Sequence, residues 1–453
     1  MRAHRDLAHY LVLSSRLIPG LDGGYTVATL GHARLLEAAG ATRALLLTVD
    51  PGTPEDHAEH RREFVARGDA ASVDRFRNLF DDALADPTWL RAAAVAGEAT
   101  PGVEYRTVTD AAGTAIVSIP VIAGDPDWHL TEAPVVVHGA GILHGFGGLY
   151  RAWLATVVAD LRTDDPARAV VVVCESRQLG ELIAGWDDPD VRIVHMIHNS
   201  HLEPPYDNPD GPMNGLWSRW FARVDAFDAV LWPTAAQRTD VAQRFGDRPT
   251  FAVVPNPVEQ IGRRDAATDP DRVVMLNRLA AQKRVDRAIH AWTKVVAERP
   301  QARLEIYGDG PERVTLQRLI DELGLAASVR LHGHVDDRDL IFDTAALMLV
   351  STAYEGQGLS IAEALVRGVP VVSFDVRYGP RETIGSAGVM VPPADIDALA
   401  AAVLEVLGDE ALRARLSAAA IEEGARLDPD RVKDALAQAI RVAVETPSLR
   451  AIP

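Results

Sequence analysis

The alternation of predicted strands with predicted helices is the sequence feature that most limits what this chain can fold into. In the second half, apolar strands and amphipathic helices follow one another from the strand at 273–276 to the strand at 369–374. Alternation of this kind produces parallel sheets that helices cover on both faces. We therefore expect an α/β protein built from doubly wound, Rossmann-like units.

The first half shows the same alternation with one interruption. A strand at 10–14, a glycine-rich turn and a helix at 26–39 come first, and the pattern then weakens between about residues 50 and 127. We interpret that segment as an irregular insertion, which includes a hairpin at 105–121. Regular alternation returns in four further predicted strands: 135–138, 170–174, 193–197 and 229–232. Their carboxyl ends are expected to carry ligand-binding groups.

The length of the chain indicates two domains, because 453 residues exceed what one hydrophobic core usually organises. Pro255 and Pro257 lie beside a polar loop and indicate an interdomain connection. We predict a first domain over 1–258, a second domain over 259–427, and a helix within 428–453 that is a candidate for packing back on the first domain.

Composition narrows the class of partner. The formal net charge of −18 disfavours attraction to nucleic acid or to anionic membranes. Apolar runs are shorter than the ~18 residues of a membrane span, and the N-terminus lacks the apolar stretch of a signal peptide. Cys174 is the single cysteine, so neither an internal disulfide nor a cysteine-held zinc is expected. We expect a cytoplasmic protein with no membrane span and no nucleic-acid partner.

The most informative motif is the run from Glu355 to Ser360, which follows a predicted strand and begins a helix. Glycines there let backbone amides approach a phosphate, and the first turn of a helix favours its negative charge. Glu363, one turn into the helix, is placed to accept hydrogen bonds from ribose, and Glu355 precedes the turn on the sugar side. Taken alone, two glutamates eight residues apart would more often be solvated surface charges. The predicted diphosphate-binding residues are Gly358, Leu359 and Ser360.

This motif resembles the Glu-x7-Glu signature of retaining glycosyltransferase family 4, and the resemblance covers the second half from 273 to about 407. It implies the GT-B fold, in which two Rossmann-like domains face each other across a cleft. Arg278, with Lys283 five residues later, looks like the arginine and lysine pair with which that family binds the donor diphosphate. Such a pair would replace a divalent metal as the counter-charge.

Other segments are similar to parts of the same family that surround the donor. The loop with His334 would line the nucleotide base, and Gly23 and Gly24 would face the donor from the first domain. His198 would lie near the donor sugar and the acceptor, and we prefer it to His201 because it is nearer the end of the strand. Tight turns and loop histidines without a ligand remain the alternative for each of these segments.

A narrower resemblance arises when 355–360 is taken together with 375–380: the pair looks like poly(polyol-phosphate) glycosyltransferases and protein O-glycosyltransferases. The segment 50–127 looks too short and irregular for the β-rich insertion of that subgroup. The resemblance implies a retaining, metal-independent transfer of a hexose or N-acetylhexosamine from a UDP-sugar to a hydroxyl acceptor, with Glu355 and His198 as catalytic residues.

The resemblance implies no cofactor beyond the UDP-sugar substrate. The acceptor is left open between a polyol-phosphate polymer, a protein and a small molecule, and so is homo-oligomer formation. Two other functions share this architecture: a nucleotide-sugar epimerase and a non-catalytic protein that binds nucleotide sugars.

Overall fold

The structure is a computed structural model that describes residues 8–21, 23–39, 44–166, 168–262, 267–335, 337–448 and 450. Its strands are β1 (Ala8–Ser14), β2 (Ala44–Thr48), β3 (Phe76–Asn78), β4 (Tyr105–Thr109), β5 (Ala115–Pro120), β6 (Val135–Val137), β7 (Gly141–Leu143), β8 (Ala169–Cys174), β9 (Val191–Met196), β10 (Ala229–Trp232), β11 (Phe251–Val253), β12 (Asp269–Leu276), β13 (Arg303–Tyr307), β14 (Val329–Gly333), β15 (Ala345–Val350), β16 (Val371–Phe374) and β17 (Gly388–Val391).

The helices, in chain order, are α1 (Gly24–Ala38), α2 (Pro54–Ala66), α3 (Leu79–Ala85), α4 (Thr88–Ala93), α5 (Gly145–Asp164), α6 (Arg177–Ile183), α7 (Gly215–Ala222), α8 (Ala235–Phe245), α9 (Val285–Glu298), α10 (Arg313–Glu322), α11 (Arg338–Phe342), α12 (Leu359–Leu365), α13 (Gly379–Ile384), α14 (Ile396–Gly408), α15 (Glu410–Gly424) and α16 (Pro429–Glu445).

The first half contains a parallel sheet in the order β11-β10-β9-β8-β1-β2-β3. Successive side chains of β1 point to opposite faces, as the strand geometry requires. Leu11 and Leu13 join a core with Trp153 of α5, whereas Tyr10 and Val12 join a core on the other face. Both faces are therefore buried, which explains the continuous apolar runs of these strands.

The second half contains a parallel sheet in the order β14-β13-β12-β15-β16-β17. Val273 and Met275 of β12 pack on one face with α9 and α14, and Val274 packs on the other with α12. The prediction of two doubly wound units is confirmed. The predicted bounds of β10, Ala229–Trp232, agree with the structure.

The segment between the first strands and α5 differs from its prediction. Strands β4 to β7 form a separate four-stranded antiparallel sheet. The apolar run at 135–138 was predicted to be a strand of the parallel sheet, and this prediction is wrong. A run of three valines favours a strand but carries no information about the direction of its partners. The hairpin prediction is confirmed, with Gly113 at φ 81° in the turn between β4 and β5. The segment that was interpreted as an irregular insertion therefore contributes β4 and β5 to an ordered sheet.

The chain crosses between the halves twice. After β11, residues 254–262 lead to the second sheet, and the amide of Val258 donates to the carbonyl of Leu427 at 2.9 Å. Helix α16 then returns and packs against α1 and the first sheet, with Val432, Leu436 and Ile440 buried in its core. None of the helices in the described ranges combines the length and apolar character that crossing a membrane requires.

Candidate functional site

Three loops at the carboxyl ends of β12, β13 and β14 are joined by backbone hydrogen bonds. The amide of Asn277 donates to Tyr307 at 3.1 Å, and that of Gly308 donates to Gly333 at 2.7 Å. A Cβ at Gly308, whose φ is 118°, would lie 1.9 Å from the Asn277 carbonyl oxygen. Glycine is needed here so that the loop that carries Arg278 can pack closely against its neighbour.

Lys283 and Glu355 are brought together by the second sheet. Lys283 Nζ lies 2.5 Å from Glu355 Oε1, and the two side chains are only 23% and 13% exposed. Ser351 Oγ donates to the Lys283 carbonyl at 3.0 Å, which ties the lysine loop to the end of β15. Arg278 is exposed and forms no ion pair with any residue that the structure describes. Its guanidinium is thus available to an anion.

The motif loop ends at Gly358, the N-cap of α12, with φ 88°. A side chain is strained at such a φ whatever the surrounding space, so glycine permits the tight entry into the helix. Leu359 and Ser360 are the first two helical residues. Their backbone amides have no acceptor within the helix, because the first turn of a helix leaves its N–H groups without intrahelical partners. Glu363 lies one turn further and pairs with Arg338 Nε of α11 at 3.2 Å.

The glycine loop of the first half faces these donor-side loops. A Cβ on Gly24 would lie 3.4 Å from Leu359 Cδ1, and one on Gly20 would lie 4.0 Å from Nε2 of the exposed His334. Gly23 has φ 47°, and a Cβ there would meet no atom within 4 Å. The two halves therefore meet at the positions that the sequence analysis selected in each.

His198 joins the same meeting point from the end of β9. A Cβ on Gly356 would lie only 2.2 Å from the His198 carbonyl oxygen, so the motif loop lies directly against the histidine backbone. His201, by contrast, is fully buried and stacks on Tyr378 with ring centroids 5.7 Å apart. Burial lowers the pKa of His201 to about 4, which keeps it neutral near pH 7.

Glu175, which was not predicted as a site residue, is a carboxylate at the end of β8 that is buried between two histidines. His198 Nε2 lies 2.6 Å from Glu175 Oε2, and His32 Nδ1 lies 3.1 Å from Oε1. Burial alone would raise the pKa of Glu175, but the charge and hydrogen bonds of His32 and His198 outweigh it and lower the pKa to about 2. The signal was available, because Glu175 follows an apolar strand directly, as His198 does.

Two cavities adjoin this site. One, of about 310 Å³, is lined by side chains of the first half, among them Tyr25, Glu175, Arg177 and His198. The guanidinium of Arg177 lies 4.3 Å from the centroid of the Trp217 ring. The other, of about 1510 Å³, lies between the halves and is lined by residues of both. None of the predicted site residues lines this larger cavity.

Polar contacts between the halves hold the cleft in its observed geometry. Gln357 is buried, and its Oε1 accepts from the amide and the side chain of Asn256 at 2.6 and 2.9 Å. Glu382 accepts from the amides of Ala235 and Ala236 at the start of α8, at 2.8 and 3.1 Å. The motif loop and α13 are thus tied to the first half.

Metal-ligand chemistry is found at one place in the described ranges. Donor atoms of His32, Glu175 and His198 lie within 4.8 Å of one another. Each histidine directs one nitrogen at the carboxylate of Glu175. Lys283 and Arg278, rather than these residues, supply positive charge beside the motif loop.

Comparison with known proteins agrees with this geometry. Residues 259–423 match the protein family described as Glycosyl transferases group 1. The poly(glycerol-phosphate) alpha-glucosyltransferase of Bacillus subtilis (strain 168) is 29% identical over 259 residues, which cover 55% of this chain and 38% of that protein. The UDP-N-acetylglucosamine–peptide N-acetylglucosaminyltransferase GtfA subunit of Streptococcus gordonii is 28% identical over 240 residues, which cover 51% of this chain and 46% of that protein. The chain thus spans less than half the length of either relative.

The fold is shared over a much larger part of the chain. A crystal structure of a mutant of S. aureus TarM, in complex with fondaparinux, alpha-GlcNAc-glycerol and UDP, superposes with a TM-score of 0.80 at 17% identity. The superposition covers 96% of this chain and 99% of TarM. Residues 259–423 are therefore a glycosyl transferases group 1 domain, and they form most of the second half of a chain with the GT-B fold.

Proposed function

We propose that the protein is a retaining, metal-independent glycosyltransferase that moves a hexose or N-acetylhexosamine from a UDP-sugar to a hydroxyl acceptor. The observation that carries the proposal is the convergence of Gly24, Lys283, Glu355 and Leu359 on one cleft between the halves. The names of the relatives support the donor and acceptor classes, since one acts on a poly(glycerol-phosphate) and the other on a peptide.

The donor diphosphate would lie between Lys283, Arg278 and the first amides of α12. Arg278 has no ion-pair partner among the described residues, and Lys283 has further ammonium protons beside the one directed at Glu355. Two cations and a helix start stabilise a leaving diphosphate in the way that a metal does elsewhere. Glu363 would bind the ribose hydroxyls, with Arg338 holding its carboxylate in place.

The sugar would lie between Glu355 and His198. Glu355 precedes the diphosphate turn, so its carboxylate can accept hydrogen bonds from sugar hydroxyls while Lys283 fixes its position. The acceptor oxygen would bond to the anomeric carbon on the face from which the diphosphate departs. The hydroxyl proton leaves with the diphosphate, and the configuration is retained.

The test is turnover of purified protein with a panel of UDP-hexoses and UDP-N-acetylhexosamines against three acceptors: a polyol-phosphate polymer, a serine-rich peptide and glycerol. We expect transfer from one donor class, with an α-linked product from an α-linked donor in the NMR spectrum. The Glu355→Gln variant should lose transfer, while Glu410→Gln, at the exposed start of α15, should not. A β-linked product would overturn retention, and conversion of the donor to its epimer would support the epimerase alternative.

A further inference from the structure

The buried carboxylate of Glu175 contacts the imidazole rings of His32 and His198, and towards both it can act only as a hydrogen-bond acceptor. Its side chain is 0% exposed, as is that of His32, while His198 is 17% exposed. An ionised carboxylate only accepts hydrogen bonds, and a pKa lowered to about 2 keeps Glu175 ionised. Both histidines must therefore present an N–H to it: His198 through Nε2 and His32 through Nδ1.

In the neutral form of His198, this contact selects the tautomer. A neutral imidazole carries one N–H, so a ring that donates from Nε2 has a bare Nδ1 that accepts hydrogen bonds. Nδ1 of His198 forms no hydrogen bond with the residues that the structure describes. The ring lines the 310 Å³ cavity, and Tyr25 contacts it edge-on with centroids 5.2 Å apart.

We infer that Glu175, supported by His32, is a positioning residue that holds His198 with Nδ1 directed as an acceptor towards a substrate hydroxyl. The inference rests on the proposed function and adds to it the residues that orient the histidine. His201 lacks such a carboxylate partner and lies outside the cavity lining. The geometry therefore assigns the orientation of the substrate hydroxyl to His198, whose ring is held by Glu175, and not to His201.

The same half of the chain offers a comparison, although its carboxylate, Glu181, also accepts from Arg219 Nε at 2.8 Å. Glu181 is a second buried carboxylate paired with a buried histidine, His129, at 3.3 Å, and neither residue lines the cavity. Glu175→Leu removes both acceptor oxygens with little change in volume, and Glu181→Leu makes the same change away from the cavity. Glu175→Gln keeps one acceptor oxygen.

The kinetic test measures transfer and UDP binding for these variants. We expect Glu175→Leu to lower kcat at least about tenfold, with Glu175→Gln intermediate and UDP affinity within about twofold of wild type. Glu181→Leu should leave kcat unchanged in the folded fraction. Equal kcat for wild type and Glu175→Gln, or equal losses in the two leucine variants, would overturn the positioning role.

A second measurement does not depend on transfer activity. In protein labelled with ¹⁵N-histidine, the His198 signals, assigned with His198→Asn, should show a protonated Nε2 and a bare Nδ1, and Glu175→Gln should shift that balance. A bare Nε2 in wild type would overturn the inference even if transfer is observed. If no UDP-sugar is turned over but the tautomer is as expected, the proposed function fails and the positioning geometry stands.

Discussion

Replacing Lys283 with alanine separates the contribution of its charge to stability from its contribution to catalysis. The ammonium lies 2.5 Å from Glu355 Oε1 in a setting where the carboxylate is only 13% exposed. Removal of the lysine leaves that carboxylate without its partner, which should lower the free energy of unfolding by about 1–3 kcal/mol. Losing a charge that faces the leaving diphosphate should cost on the order of 2–4 kcal/mol in the transition state.

These two costs respond differently to a second substitution. In Lys283→Ala with Glu355→Gln, no buried charge remains unpaired, so most of the lost unfolding free energy should return. Transfer should stay low for two reasons. At about 1.4 kcal/mol per tenfold, the missing cation lowers kcat/KM by roughly 30- to 1000-fold, and the carboxylate that the proposal places at the donor sugar is absent as well. Arg278→Ala should lower kcat/KM without a change in stability, since Arg278 is exposed and has no ion-pair partner among the described residues.

The assay pairs urea unfolding with initial rates at varied UDP-sugar concentration and fixed acceptor. Urea midpoints give the stability difference when the slopes agree, and kcat/KM gives the transition-state difference. If the double variant regains transfer together with stability, Lys283 does not bind the diphosphate and Glu355 does not position the sugar, and their pairing acts by holding the fold. Wild-type kcat/KM in Lys283→Ala would show that the diphosphate lies elsewhere.

Three further outcomes are expected. Excess chelator should leave transfer nearly unchanged, and complete loss that metal restores would contradict metal independence. In calorimetry, Glu363→Gln should weaken UDP binding, whereas Glu355→Gln should spare it and reduce transfer; the opposite pattern would reverse the two roles. Burial lowers the pKa of His57, but hydrogen bonds to Asp50 and Asp81 outweigh it and raise the pKa to about 9 from 6.5. The resulting stability, up to about 3 kcal/mol, is complete below pH 6.5 and is lost as pH rises through 9. The difference in unfolding free energy between wild type and His57→Gln should therefore shrink between pH 6 and pH 10, and a constant difference would contradict this account.

The strands and helices of the second half were predictable because each alternates cleanly with the next. The strand at 135–137 was assigned to the wrong sheet, since its apolar side chains suit either a parallel or an antiparallel partner. Strand β3, at Phe76–Asn78, lies in a segment that was predicted to be irregular, because three residues are too few to show a period. Topology of this kind depends on contacts between distant residues.

The candidate site was predictable where a motif has a local cause. Gly358 lies at the start of a helix, and its φ of 88° is a conformation that glycine adopts readily. The pairing of Glu363 with Arg338, and that of His198 with Glu175, joins residues 25 and 23 positions apart in sequence. Nothing in the sequence near Gly356 indicates that a Cβ there would meet the His198 carbonyl. Such constraints arise only when the two halves are placed against each other.

The return of α16 to the first sheet has a consequence for how the chain is made. This helix spans 17 residues near the C-terminal end, and the residues that it buries against the first half are Val432, Leu436, Ala439, Ile440 and Ala443. During synthesis, domains generally fold in order from the N-terminus. Here one apolar face of the first sheet, which α1 covers in part, lacks α16 until the second half has left the ribosome. The second half can thus acquire its core before the first half is complete, and a fragment that ends at residue 258 would be prone to aggregate where the full chain is not.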